Sequence, residues 1–278
     1  MPRDISSPAF AGEGDRASAP ALPRHRSTFI LPPMTVAAAL RSVAHAALDF
    51  ALPPRCPACG VIVGEAHRFC LDCWKQLLFL GEPCCVRCGL PFGYGADAAA
   101  ECGRCLADPP PFDRLRAAVA YGEIARAVAL KLKYSGRPGV AETLAGFVAR
   151  HLAADRDAVL TPVPLHRWRI WKRGYNQSAL IASALARASG VPVELDLLRR
   201  TRATPSLRGL NRRERAEAVR GAFALPEAKR ARVRGRNVVL VDDVFTSGAT
   251  AGACARALRR GGAARVEILC WARVVAAD

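Results

Sequence analysis

Eight cysteines fall into four C-x-x-C pairs, Cys56/Cys59, Cys70/Cys73, Cys85/Cys88 and Cys102/Cys105. A C-x-x-C turn aims two thiolates at one point, and two such turns make a tetrahedral zinc site. Spacers of 10 residues between the first two pairs and 13 between the last two suit compact knuckles. Gly60 and Gly89 each follow a knuckle, where a tight turn benefits from a residue without Cβ. Sequential pairing assigns one Zn2+ to Cys56, Cys59, Cys70 and Cys73, and a second to Cys85, Cys88, Cys102 and Cys105. Interleaved pairing stays open. Cys84 adjoins Cys85 but lacks the two-residue spacing to Cys88. All-cysteine sites leave no coordination position for substrate, so the expected role is structural. Disulfides need an oxidising compartment, and a redox C-x-x-C is normally a single pair.

The second constellation is a strand-like run at 238–241, then Asp242 and Asp243, then Thr246-Ser247-Gly248-Ala249-Thr250 opening a helix. Helix N-termini offer free backbone N–H groups and a positive dipole end, which suits phosphate. The hydroxyls of Thr246, Ser247 and Thr250 add donors, and Gly248 lets the backbone approach closely. Acids at a strand's carboxyl end lie where ligands bind in open α/β sheets, placed to accept from sugar hydroxyls or to help hold Mg2+. No G-K-[ST] follows, so this is not a Walker A loop. Upstream, 161–167 leads out of another strand and supplies Arg167, Arg169, Lys172 and Arg173 ahead of a helix near Asn176. Guanidinium forks bind phosphate oxygens in pairs, which fits an anion rich in them. His166 reads as a solvated side chain.

The acid pair with its loop resembles the phosphoribosyl pyrophosphate (PRPP) signature of type I phosphoribosyltransferases. By that resemblance Asp242 and Asp243 take the ribose hydroxyls and 246–250 cradles the 5′-phosphate. The ordered set of four Cys pairs, the stretch 131–136, the Pro-Val-Pro to Arg-Gly-Tyr-Asn-Gln segment and the PRPP loop is similar to the ComF family. The resemblance covers about 35–275. It implies an α/β fold: a parallel phosphoribosyltransferase-like sheet flanked by helices, preceded by a small double zinc ribbon. It also implies Mg2+ with PRPP, a link to competence and DNA uptake, and an Arg-rich mobile loop at 199–220. Arg208, Arg212 and Arg213 of that loop join Arg167 and Arg173 as expected pyrophosphate ligands. Leu207 and Ala218 stand where the resemblance implies polar residues, Gln and Asn. A glutamine-dependent amidotransferase is disfavoured, because it needs an N-terminal cysteine nucleophile and the first cysteine is Cys56.

Positioning these groups takes alternating strands and helices. Apolar periodicity predicts strands at 116–121, 158–161, 238–241 and 266–271, with helices at 123–132, 140–152, 176–189 and 248–260. Residues 1–33 read as a disordered tail, 34–54 as an amphipathic helix, 55–110 as the zinc ribbon and 111–278 as the phosphoribosyltransferase domain. Of 278 residues 51% are hydrophobic, which excludes a mainly disordered chain. No run is long and apolar enough for a membrane-spanning helix. A signal peptide around 24–46 is disfavoured by Pro32, Pro33 and Arg41, so a cytoplasmic location is expected. The net charge of +17 is uneven: 161–236 carries 18 basic and five acidic residues. That concentration predicts an anion site, for PRPP or for the phosphates of single-stranded DNA. Two functions follow: a phosphoribosyltransferase releasing pyrophosphate, or a non-catalytic PRPP-sensing or single-stranded-DNA-binding protein working with competence proteins.

Overall fold

The computed structural model describes residues 53–93, 95–97, 99–134, 139–153, 155, 157–204 and 209–275. The expected tail, nearly all of the 34–54 helix, and Arg208 lie outside the described residues. Two short helices, α1 (Leu71–Lys75) and α2 (Gly103–Ala107), belong to the cysteine module. Then come β1 (Arg114–Ala120), α3 (Glu123–Tyr134), α4 (Gly139–Ala149), β2 (Ala158–Pro162), α5 (Arg167–Arg173) and α6 (Gln177–Ser189). They are followed by β3 (Arg199–Arg200), α7 (Arg212–Ala218), β4 (Phe223–Ala224), a 3-10 turn at Glu227–Arg232, β5 (Asn237–Phe245), α8 (Ala249–Arg260) and β6 (Arg265–Arg273).

The main sheet is parallel throughout, in the order β1-β6-β5-β2. Both its faces are covered, which is why its strands read as continuous apolar runs. Val239, Val241 and Trp271 pack under α3, α4 and α6. Val238, Leu240 and Ile268 pack under α8 on the opposite side. Helix α6, which follows β2 and α5, and helix α8, which follows β5, therefore lie on opposite faces, although the two strands are neighbours. That reversal opens a crevice beyond their carboxyl ends, where open α/β sheets bind ligands.

The cysteine module is packed onto this sheet. Phe69 stacks on Trp271 with centroids 6.2 Å apart, and Phe147 joins both rings. The Leu80 amide donates to the Ala118 carbonyl at 3.0 Å, and the Ala120 amide to Leu78 at 2.8 Å. The module thus covers the otherwise open edge of β1. Gly89 sits at φ +63°, and a Cβ there would lie 2.6 Å from the Leu115 carbonyl oxygen. Only glycine allows the Cys85/Cys88 knuckle to lie this close to β1.

Three segments differ from expectation. The strand expected at 238–241 runs on through Asp242 and Asp243 to Phe245, because ladder pairing with β6 outlasts the apolar run. The basic loop after β2 contains α5, which starts where His166 Nδ1 accepts from the Trp168 amide at 3.4 Å and stops at Gly174, φ +79°. The described part of the expected mobile loop at 199–220 includes α7, held by a capping box between Asn211 and Glu214.

Candidate anion and metal sites

Three segments meet at the crevice. Asn176 caps α6, accepting from the Ser178 amide at 3.1 Å and donating to the Val163 carbonyl at 3.0 Å. Its cap fixes the N-terminus of α6 against the end of β2. The Ser178 hydroxyl then donates to Asp242 at 3.0 Å, and the Asp243 amide donates to the same Oδ1 at 2.9 Å. Asp243 is buried, and its Oδ2 lies 2.7 Å from Lys133 Nζ at the end of α3. The Tyr175 hydroxyl donates to the Leu132 carbonyl at 2.6 Å, tying the loop before α6 to that same helix end. Arg173 lies over the Tyr134 ring at 5.3 Å and donates to Gln177 Oε1 at 3.3 Å.

Two adjacent carboxyls in a packed site resist ionising together. Burial, then the Asp243 charge, pushes the Asp242 carboxyl up to about 8. Burial works against the Lys133 ammonium, but Asp243 and Asp242 outweigh it and raise the lysine's pKa. The site holds its acids ready for a cation or for hydroxyl donors.

Beyond Phe245 the chain turns at Gly248, φ +80°, directly over the Phe245 ring. No side chain caps the N-terminus of α8. Its first amides are the orphan donors of a helix start, at the positive end of the dipole. The loop carrying Thr246, Ser247, Gly248, Ala249 and Thr250 therefore lies at the end of the strand that carries the acid pair.

The expected arginines are less closely gathered. Arg167 is exposed at the start of α5. Arg212 pairs with Asp108 at 2.8 Å, and Arg213 with Glu217 at 3.3 Å. No ion pair or hydrogen bond among the described residues joins Arg167, Arg212 or Arg213 to Asp242 or Asp243. Sequence reasoning missed Lys133, Ser178 and Tyr175. Lys133 was part of the 131–136 stretch, but nothing in its spacing points to a carboxylate so distant in the chain.

The thiols gather as Cys56, Cys59, Cys70 and Cys73, and as Cys85, Cys88, Cys102 and Cys105, with each set of sulfurs within 4.8 Å. This is the sequential pairing. A tetrahedron with Zn–S near 2.3 Å separates sulfurs by about 3.8 Å. Cys59 and Cys70 Sγ are 3.6 Å apart, and Cys88 and Cys102 Sγ are 3.7 Å apart. Both sets fit a structural Zn2+.

Residues 47–106 match the double zinc ribbon domain, and residues 173–276 match the phosphoribosyl transferase domain. The DNA utilization protein YhgH of Salmonella typhi is 34% identical over 235 residues, spanning 81% of this chain and 99% of that protein. The chain belongs to the ComF family. Competence protein F of Haemophilus influenzae is 31% identical over 79% of this chain and 96% of its own length. Among solved structures, the glutamine PRPP amidotransferase of Bacillus subtilis, complexed with ADP and GMP, aligns at 26% identity. That alignment has a TM-score of 0.33 and covers 50% of this chain and 30% of the amidotransferase. Family membership fixes the architecture as a parallel phosphoribosyltransferase-like sheet with an N-terminal double zinc ribbon. No helix among the described residues is long and apolar enough to cross a membrane.

Proposed function

We propose that the crevice binds PRPP with Mg2+ and that the chain transfers the phosphoribosyl group to an acceptor. The observation that carries this reading is the acid pair near the end of β5, on the strand whose following turn leads into the uncapped start of α8 at Ala249. Asp242 and Asp243 accept from the ribose hydroxyls, and 246–250 receives the 5′-phosphate through backbone amides and hydroxyls. Arg167, Arg173 and the Arg208, Arg212 and Arg213 group meet the pyrophosphate, with Arg212 exchanging Asp108 for it. An acceptor lone pair then forms a bond to C1′ as the C1′–O bond breaks and pyrophosphate leaves with its electron pair. The protein contributes positioning and charge stabilisation. The names of the relatives, which speak of DNA utilization and competence, support a role linked to DNA uptake. The test is PRPP with Mg2+ and a panel of bases and amines. Acceptor-dependent pyrophosphate release is expected. PRPP binding without release for any acceptor would reduce the reading to a PRPP sensor.

A second reading, a grip on single-stranded DNA, is favoured by one observation. Trp168 and Trp171 on α5 stack on each other at 5.0 Å and are 62% and 76% exposed. Arg167, Arg169 and Lys172 share their helix. Exposed aromatics among cations suit bases and phosphates, at roughly 1–3 kcal/mol per stacked base. Replacing both tryptophans with alanine should weaken single-stranded DNA binding by about tenfold or more and leave its salt slope unchanged. Equal affinity of variant and wild type in a fluorescence anisotropy titration would rule this surface out.

A further inference from the structure

We infer that the second cysteine centre braces the 246–250 loop through Arg273 and Arg104, making anion binding there depend on the metal held by Cys85, Cys88, Cys102 and Cys105. The inference rests on the phosphate-loop reading above and adds a control to it.

Arg273 ends β6 and is only 4% exposed. Its guanidinium donates to the Cys88 carbonyl and lies 6.0 Å over the Phe245 ring. Arg116, also buried, donates to the Val86 carbonyl at 3.0 Å and the Leu115 carbonyl at 2.9 Å. No ion pair among the described residues gives either arginine a carboxylate. A buried cation needs a counter-charge. Four thiolates around a dication carry a net negative charge, and the Val86 and Cys88 carbonyls that these arginines hold belong to the Cys85/Cys88 knuckle. Zinc sites are commonly held by such outer partners.

The brace continues to the loop on two sides. The Phe245 ring, under Arg273, is the floor beneath Gly248: a Cβ there would come within 2.7 Å of it. From outside, Arg104 donates through Nη2 to the Ser247 carbonyl at 3.3 Å. Arg104 lies on α2 between the ligands Cys102 and Cys105, so its backbone moves with the centre. The loop is held between a ring anchored through Cys88 and a guanidinium anchored beside Cys105. Arg104 and Arg273 are positioning residues, since neither reaches the acid pair.

Arg104 is exposed, so Arg104→Met spares the fold. The variant should keep the wild-type zinc content and bind PRPP with Mg2+ about three- to tenfold more weakly, with Arg104→Lys recovering part of the loss. Hydrogen exchange read by mass spectrometry should quicken across 246–250 in Arg104→Met, and in wild type once chelator has drawn the second zinc, while 238–241 stays protected. Unchanged exchange in both samples would overturn the brace, whatever the binding result. If wild type itself fails to bind PRPP, the phosphate-loop reading fails, and exchange still reports on the brace.

Discussion

Asp242→Asn is expected to raise the Tm while weakening PRPP binding by about tenfold or more, and Asp243→Asn to lower both. Burial and the neighbouring Asp243 lift the Asp242 carboxyl to about 8. An acid whose folded pKa lies above its unfolded value costs stability as pH rises from the usual carboxylate range toward that higher value. Asparagine removes the cost and keeps the oxygen that accepts from Ser178, so the melting point should rise by a few degrees near pH 7–8. Asp243 differs because it pairs with Lys133 at 2.7 Å. Neutralising it leaves a largely buried ammonium with a weaker partner, which is destabilising. For binding, each carboxylate-to-hydroxyl hydrogen bond is worth about 1.5–3 kcal/mol, so the double variant should lose on the order of a hundredfold or more. Binding should also release a proton, because ligand hydroxyls and a dication favour the ionised pair. Affinity for Mg2+-PRPP should therefore rise with pH and level off above about 8. Calorimetry in two buffers of different ionisation heat measures that proton. Undiminished PRPP binding by the double variant would remove the acid pair from the site.

Chain-local features were legible in the sequence, and features made by folding were not. The Cys pairs and the run from 238 to 250 are contiguous, and each carries its chemistry in a short spacing. The buried strands were legible because a sheet covered on both faces demands unbroken apolar runs. Their ends were not: β5 continues two residues past its acids on hydrogen bonds to β6, which leave no mark on composition. Helix α5 leaves no mark in the sequence because it buries no side chain, so it shows no apolar period. Its limits come from the His166 cap and Gly174, too short a signal beside a basic run. Lys133, Ser178 and Arg104 reach their partners only through tertiary packing. Arg116, within β1, and Arg273, at the end of β6, carry no signal in the sequence, yet they are buried against the Cys85/Cys88 knuckle. The charge excess of 161–236 marked a region, but Arg212 and Arg213 make ion pairs within the fold, so a count of arginines overstates the free positive charge at the crevice.

The two cysteine centres should differ sharply when their metal is lost. Ligand replacement at the second centre, Cys102→Ser, is expected to lower the Tm by about 10 °C or more or to give insoluble protein. Replacement at the first, Cys59→Ser, should cost distinctly less. Around the second centre, the buried cluster among the described residues is the four cysteines themselves with Leu90 and Phe92 against them. Such a group has too little apolar surface to stay folded without the metal, whose binding free energy is then folding free energy. Removing the centre's negative charge also strands Arg116 and Arg273, and an uncompensated buried charge costs about 3–5 kcal/mol. At roughly 2–4 °C per kcal/mol for a domain of 150–250 residues, one such charge accounts for the expected shift. The first centre has Cys59 exposed, and the module around it packs Phe69 and Leu77 into the larger core with Trp271 and Phe147. That apolar contact persists without the ion, so the damage should stay local. Chelator should accordingly draw the first zinc sooner than the second, as two resolved phases of release from a protein that starts with two per chain. A single phase, together with equal Tm losses for the two variants, would mean that the buried arginines are not coupled to the second centre.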